Sequence, residues 1–207
     1  MKIPSPWRRH LLGITGGIAA GKSRVARYLA EHCGLATIDT DQLARELLRP
    51  GQAGWLALER RYGERFFHSD STLHRPRLRR DLFADADLRA EIDRLLHPLI
   101  REAMLAAVAR LQPVGRERIL VEVPLLYEAG WESDFACIIA VWAPEEVCLA
   151  RLLKRDGVSP EEAAAALAAQ MAPREKLLRA DLQVDNSGPW EETCRQLEKI
   201  QKIIEKS

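Results

Sequence analysis

The sequence predicts an α/β protein built on a parallel five-stranded sheet flanked by helices, with a helical insertion and a helical lid. Three observations predict it. Residues 11–33 pass from an apolar stretch through a glycine-rich turn into a 3.6-residue apolar period, which reads as strand, loop and helix. Four more short apolar runs, at 35–38, 119–123, 136–142 and 182–184, alternate with helical periodicity, the pattern of strands joined by crossover helices. Residues 53–110 carry no clear β pattern, so an all-helical block separates the second strand from the third.

A chain of 207 residues suits one domain with an inserted subdomain. Lys plus Arg number 31 and Asp plus Glu 30, so a net charge of +1 demands neither nucleic acid nor an anionic membrane as partner. Arg8 and Arg9 precede an apolar run that meets Gly16 and Gly17 too soon for a secretory or membrane segment, and a cytoplasmic location is the expectation. Cys33, Cys137, Cys148 and Cys194 form no C-x-x-C pair and read as reduced, mostly buried thiols.

The first strand ends in LLGITGGIAAGKS at 11–23, where Gly16, Gly21, Lys22 and Ser23 satisfy G-x-x-x-x-G-K-[ST], a phosphate-binding loop. Gly16, Gly17 and Gly21 lack a Cβ, so the backbone can take positive φ and turn its N–H groups around an anion, with Ile18, Ala19 and Ala20 completing the loop. The helix opening near Lys22 adds unpaired N–H groups and the positive end of its dipole. Lys22 offers an ammonium to the β and γ phosphates, and Ser23 a hydroxyl to Mg²⁺. Val25, Tyr28, Leu29 and His32 make the apolar face of this helix, and Gly34 stops it.

The second strand ends at Asp39, Thr40, Asp41, on the side of the sheet where ligands sit in parallel α/β folds. Two readings stay open. Asp39 and Gln42 form a capping-box pattern and Asp41 suits a helix N-terminus; equally, a carboxylate here could orient an acceptor hydroxyl and take its proton. The helical block contains short helices around Leu56–Tyr62 and Leu78–Phe83, then a long amphipathic one from Leu88 to Val108, interrupted at Pro98. His97 reads as a locally hydrogen-bonded histidine at that kink. The block's arginines, Arg60, Arg61, Arg65, Arg75, Arg77, Arg79 and Arg80, read either as a clamp for a phosphate-bearing acceptor or as a solvated face balanced by Glu59, Glu64, Asp81 and Asp85.

Glu122 stands near the end of the third strand, where a carboxylate often holds Mg²⁺ through water. After the fourth strand, Pro144 at the first helical position and Glu145 and Glu146 in the first turn open a helix that carries Arg151 and Arg155 on one face and stops at Gly157. Ser159 and Glu162 form a capping box for the next, alanine-rich helix. This region reads either as a lid bringing positive charge to the transferring phosphoryl group or as a surface hairpin. A third short helix at 173–180, the last strand, a turn at 185–188 and a closing helix with Leu197, Ile200, Ile203 and Ile204 on its apolar stripe complete the chain.

Taken together, GITGGIAAGKS at 13–23, IDTDQLAREL at 38–47, LLHPLI at 95–100, VPLLYE at 123–128, RLLKRD at 151–156 and the stretch 181–188 resemble the dephospho-CoA kinases of coenzyme A synthesis. The resemblance implies a P-loop kinase fold with one nucleotide-binding core, at 11–52 and 111–207, a helical CoA-binding subdomain at 53–110, and a lid within 144–180. It implies transfer of the γ-phosphoryl group of ATP, with Mg²⁺, to the ribose 3′-hydroxyl of dephospho-CoA. Residues 16–23 would bind ATP, Lys22 would assist transfer, Asp41 would be the base, and Arg151 and Arg155 would belong to the lid. The chain departs from the family at Ala19 and Ala20, where glycine and serine are frequent, at Arg24 and Thr40, where threonine and alanine are usual, and at Glu122 and Leu182.

Three other readings compete. Another small-molecule kinase, acting on a nucleoside, a nucleotide or a shikimate-like alcohol, would share the loop and lid. A GTP-dependent switch would need an N-K-x-D guanine motif, which the sequence lacks, and its one D-x-x-G string, at 185–188, comes too late. A nucleic-acid-dependent ATPase is disfavoured by the charge balance. Oligomeric state is not encoded in any recognisable pattern.

Overall fold

The computed structural model describes residues 10–111 and 118–206, so Arg8 and Arg9 lie outside the described residues. In chain order its elements are β1 (Leu11–Gly16), α1 (Lys22–Cys33), β2 (Ala36–Asp39), α2 (Thr40–Leu47), α3 (Ala53–Tyr62), α4 (Arg75–Ala84), α5 (Ala86–Leu111), β3 (Ile119–Glu122), β4 (Cys137–Trp142), α6 (Glu145–Asp156), α7 (Pro160–Ala168), α8 (Pro173–Arg179), β5 (Leu182–Asp185) and α9 (Trp190–Lys206). They form two compact units, Met1–Asp39 with Val108–Ser207, and Thr40–Ala107.

The first unit is the parallel five-stranded sheet, in the order β2-β3-β1-β4-β5. Every residue of β1 is buried, and Leu12, Ile14, Leu120, Ile139, Val141 and Val184 pack with Val25 and Leu29 of α1 and Leu197, Ile200 and Ile204 of α9. Continuous apolar strands are what a sheet covered on both faces requires. The register aligns the carboxyl ends: Asp39 pairs with Glu122, Gly16 with Val141, and Trp142 with Asp185. Gly16, Asp39, Glu122, Trp142 and Asp185 therefore end their strands along one edge.

Locally encoded features hold. Gly34 and Gly157 cap α1 and α6 in the left-handed conformation, and Ser159 and Glu162 make both bonds of the capping box. Others do not. Pro144 is the residue before α6 and not its first helical residue. Ile203 is 47% exposed, because α9 turns Leu197, Ile200 and Ile204 to the sheet and Ile203 falls outside that stripe. His32 is exposed and stacks on the Tyr28 ring with centroids 3.8 Å apart. All four cysteines are free thiols, but only Cys148 is fully buried; burial pushes Cys137 up to about 11.

The second unit has its own core of Leu58, Phe66, Leu78, Leu88 and Ile92, with Leu48 packed against it. It begins earlier than residue 53 because α2 packs on α3. Helix α5 runs unbroken through Pro98, contrary to the predicted interruption. Proline removes one N–H, a local loss, whereas Ile92 on one side of it and Met104, Leu105 and Val108 on the other are all buried and hold the helix in line. His97 approaches Asp93, one turn earlier, at 3.7 Å. An isolated antiparallel bridge, Phe67 to Leu73, interrupts the otherwise helical unit.

Candidate active site

The site grows from the turn between β1 and α1. Gly16 has φ 149° and lies so close to β4 that a Cβ would sit 2.0 Å from the Val141 carbonyl oxygen. Gly21, at φ 98°, precedes α1 with no side-chain cap, and a Cβ there would sit 2.2 Å from Asn186 Nδ2. The third left-handed residue is Ala19, at φ 58°, and not Gly17, whose Cβ would meet only Pro173 at 3.8 Å. The predicted requirement for glycine at 17 is thus corrected; the strained position of the turn is occupied by alanine. An uncapped helix start gathers the N–H groups that an anion would accept from.

Lys22 is buried and spans the turn, its Nζ donating to the carbonyls of Gly16 at 3.1 Å and Gly17 at 2.9 Å. Ser23 donates its hydroxyl to Glu122 Oε1 at 2.7 Å, which joins the start of α1 to the end of β3. A cleft of about 370 Å³ beside this bond is lined by Ser23, Thr37, Asp39 and Glu122 among others. On its other side Ser23 lines a second cleft, of about 640 Å³, with Ala19, Gly21, Lys22, Arg24, Arg151, Lys154 and Arg155. Five cationic side chains and no carboxylate line that space, which suits a polyanion.

The two arginines of α6 differ. Arg151 donates through Nη2 to the Asn186 carbonyl at 2.8 Å, while its Nη1 is buried without a hydrogen-bond partner among the described residues. A buried donor in that state calls for an acceptor, whether a ligand oxygen or a water. Arg155 also lines the cleft but bonds Asp156 at 2.7 and 3.0 Å. Asp41 lies in the first turn of α2, two residues beyond the end of β2, and is exposed.

Several participants carried no signal in the sequence reading. Asn186, read as a turn residue within the 181–188 stretch and given no role, is buried, donates to the Ala20 carbonyl at 2.7 Å and is bonded by Thr193 Oγ1 at 3.1 Å. Gln170 accepts from the Ile18 N–H of the phosphate-type loop at 2.9 Å. Arg24 lays its guanidinium over the Trp190 ring, 3.8 Å from the centroid. Each depends on residues far apart in the chain, and only the asparagine fell within a motif.

Comparison with known proteins agrees with this geometry. The family model for dephospho-CoA kinase matches residues 10–192. A dephospho-CoA kinase of Symbiobacterium thermophilum is 39% identical over 188 residues, 91% of this chain and 78% of that protein. One of Shouchella clausii is 36% identical over 186 residues, 90% and 94% of the two chains. Among solved structures, a dephospho-CoA kinase from Campylobacter jejuni superposes with TM-score 0.66 at 26% identity, covering 95% of this chain and 97% of that one. A Thermus thermophilus protein superposes with TM-score 0.76 at 32% identity, covering 93% and 96%.

Proposed function

The chain belongs to the dephospho-CoA kinase family, and from that premise we propose that it transfers the γ-phosphoryl group of ATP to the ribose 3′-hydroxyl of dephospho-CoA, giving coenzyme A and ADP in the last step of coenzyme A synthesis. The observation that carries the reading is the cation-lined cleft running from the Gly16–Ser23 turn to Arg151.

In this reading the N–H groups at the start of α1 and the Lys22 ammonium hold the β and γ phosphates, and Arg151 completes its buried Nη1 with a phosphate oxygen. Arg155 and Lys154 add charge from the lid. Asp41 takes the acceptor proton as the acceptor oxygen bonds to the γ phosphorus and the bond to the ADP oxygen breaks. The unit Thr40–Ala107 binds the acceptor. The hydroxyl of Ser23 and the carboxylate of Glu122 are hard oxygen donors 2.7 Å apart, a pair that fits Mg²⁺. When bound there, the ion supplies charge neutralisation at the phosphate oxygens.

The test is ADP release with ATP and Mg²⁺, with dephospho-CoA, adenosine, shikimate or common nucleosides as acceptor. Stimulation by dephospho-CoA alone is expected. Stimulation by another alcohol with no response to dephospho-CoA would overturn the assignment and leave the loop reading intact. Among the described residues no helix is long and apolar enough to cross a membrane.

A further inference from the structure

Lys176 of α8 is the one buried lysine besides Lys22 among the described residues, only 1% exposed, and it does not line the cation-lined cleft. Its Nζ meets Glu128 Oε1 at 2.8 Å and donates to the Pro124 carbonyl at 2.8 Å. Both partners are shared. Glu128 Oε1 also accepts from the Met171 N–H at 3.0 Å, and the Pro124 carbonyl also accepts from Thr15 Oγ1 at 3.2 Å. Thr15 immediately precedes Gly16, and Gln170, beside Met171, holds the Ile18 N–H of the same turn.

Lys176 is buried whereas Glu128 reaches solvent, and the cost of desolvating the ammonium offsets much of the attraction, so the pair adds little net stability to the fold. What this one provides is geometry, since a single ammonium fixes the segment after β3 and the returning limb of the lid, 170–176, in one position. Resting on the function proposed above, we propose that Lys176 and Glu128 are positioning residues for the nucleotide site: their pair clamps the 170–176 limb so that Gln170 holds the Ile18 amide and the phosphate-binding turn stays in its binding shape. Helix α8 has a second attachment, Arg179 to Glu132 and over the Tyr127 ring at 4.5 Å, so loss of Lys176 frees the limb without detaching the helix.

The measurements are ADP affinity by calorimetry and amide exchange at Ile18 in the nucleotide-free protein, with the Leu29 amide in α1 as reference; neither needs an acceptor. Lys176→Met fills the same volume without charge. It is expected to weaken ADP binding about tenfold and to speed Ile18 exchange while Leu29 exchange stays unchanged. Gln170→Ala should reproduce both effects, and the double variant should bind ADP no more weakly than either single one. Should Lys176→Met fail to fold, Glu128→Gln, which keeps an acceptor oxygen and loses the charge, replaces it in the same cycle. Unchanged affinity and Ile18 exchange with only a shifted melting temperature, or additive losses in the double variant, would overturn the clamp. A wild-type protein inert towards dephospho-CoA would instead remove the proposed acceptor and leave this result readable.

Discussion

Lys22 and Arg151 of the sheet unit and Arg61, Arg65 and Arg80 of the helical unit are equally conspicuous in sequence and differ in what they touch. In Thr40–Ala107, Arg61 pairs with Glu91, Arg65 with Asp81 at 3.3 Å, and Arg80 with the same Asp81 at 3.3 Å, all on exposed surface. In the cleft of the sheet unit Lys22 donates to the carbonyls of Gly16 and Gly17 and Arg151 to that of Asn186, while Arg155 beside them pairs with Asp156. A carboxylate partner satisfies a charge; a carbonyl partner aims it. The difference separates screened surface pairs from cations directed into a cleft, and a count of arginines does not reveal it.

The strongest way to break this contrast is at Lys22. Lys22→Ala should lower turnover by about 10³-fold through lost charge stabilisation of the transferring group, with the fold retained. Near-normal turnover would remove Lys22 from the charge-stabilising role. Asp41→Asn, in the proposed base, should still bind ATP and lose about 10²-fold or more in turnover. Arg151→Ala should cost about 10-fold to 10²-fold and weaken ADP binding; an effect on stability alone would mean that its Nη1 has no ligand to meet.

How much of this was legible in sequence follows the range of the interactions. The caps at Gly34 and Gly157 and the Ser159–Glu162 box are written in residues within a few positions of each other, and their geometry followed; in the turn at 16–23, Gly16 and Gly21 take the expected positive φ and Gly17 does not. Contacts across the chain were not legible. Asn186 reaches Ala20 over 166 positions, Gln170 reaches Ile18 over 152, and Lys176 reaches Pro124 over 52. No local pattern marks a lysine for burial, since the partner that makes burial tolerable lies on another element. Pro98 failed for the converse reason: its local rule was sound, and packing on both sides of it overrode the rule.

Ala19 sharpens the comparison from within the sheet unit. The sequence marked it as a departure from a frequent glycine, and the structure shows the cost, a non-glycine residue at φ 58°. Ala19→Gly should relieve about 0.5–1 kcal/mol of backbone strain, partly offset by the freer unfolded chain, and raise the melting temperature by about 2 °C. No rise would mean that the turn relaxes around alanine without strain.

The smallest effect belongs to the helical unit. Arg61 is well exposed and its partner Glu91 sits on the neighbouring α5, so Arg61→Ala removes a solvent-screened pair. The melting temperature should move by no more than about 1 °C and turnover by less than about twofold. The pair also tests the contrast most severely. A carboxylate-paired arginine can still serve a substrate if the substrate phosphate displaces the carboxylate, and then Arg61→Ala would raise KM for dephospho-CoA while leaving KM for ATP and stability unchanged. That outcome would make pairing in the ligand-free protein a poor guide to function, and the same measurement on Arg65→Ala, whose partner Asp81 also holds Arg80, would show whether sharing a carboxylate makes displacement easier.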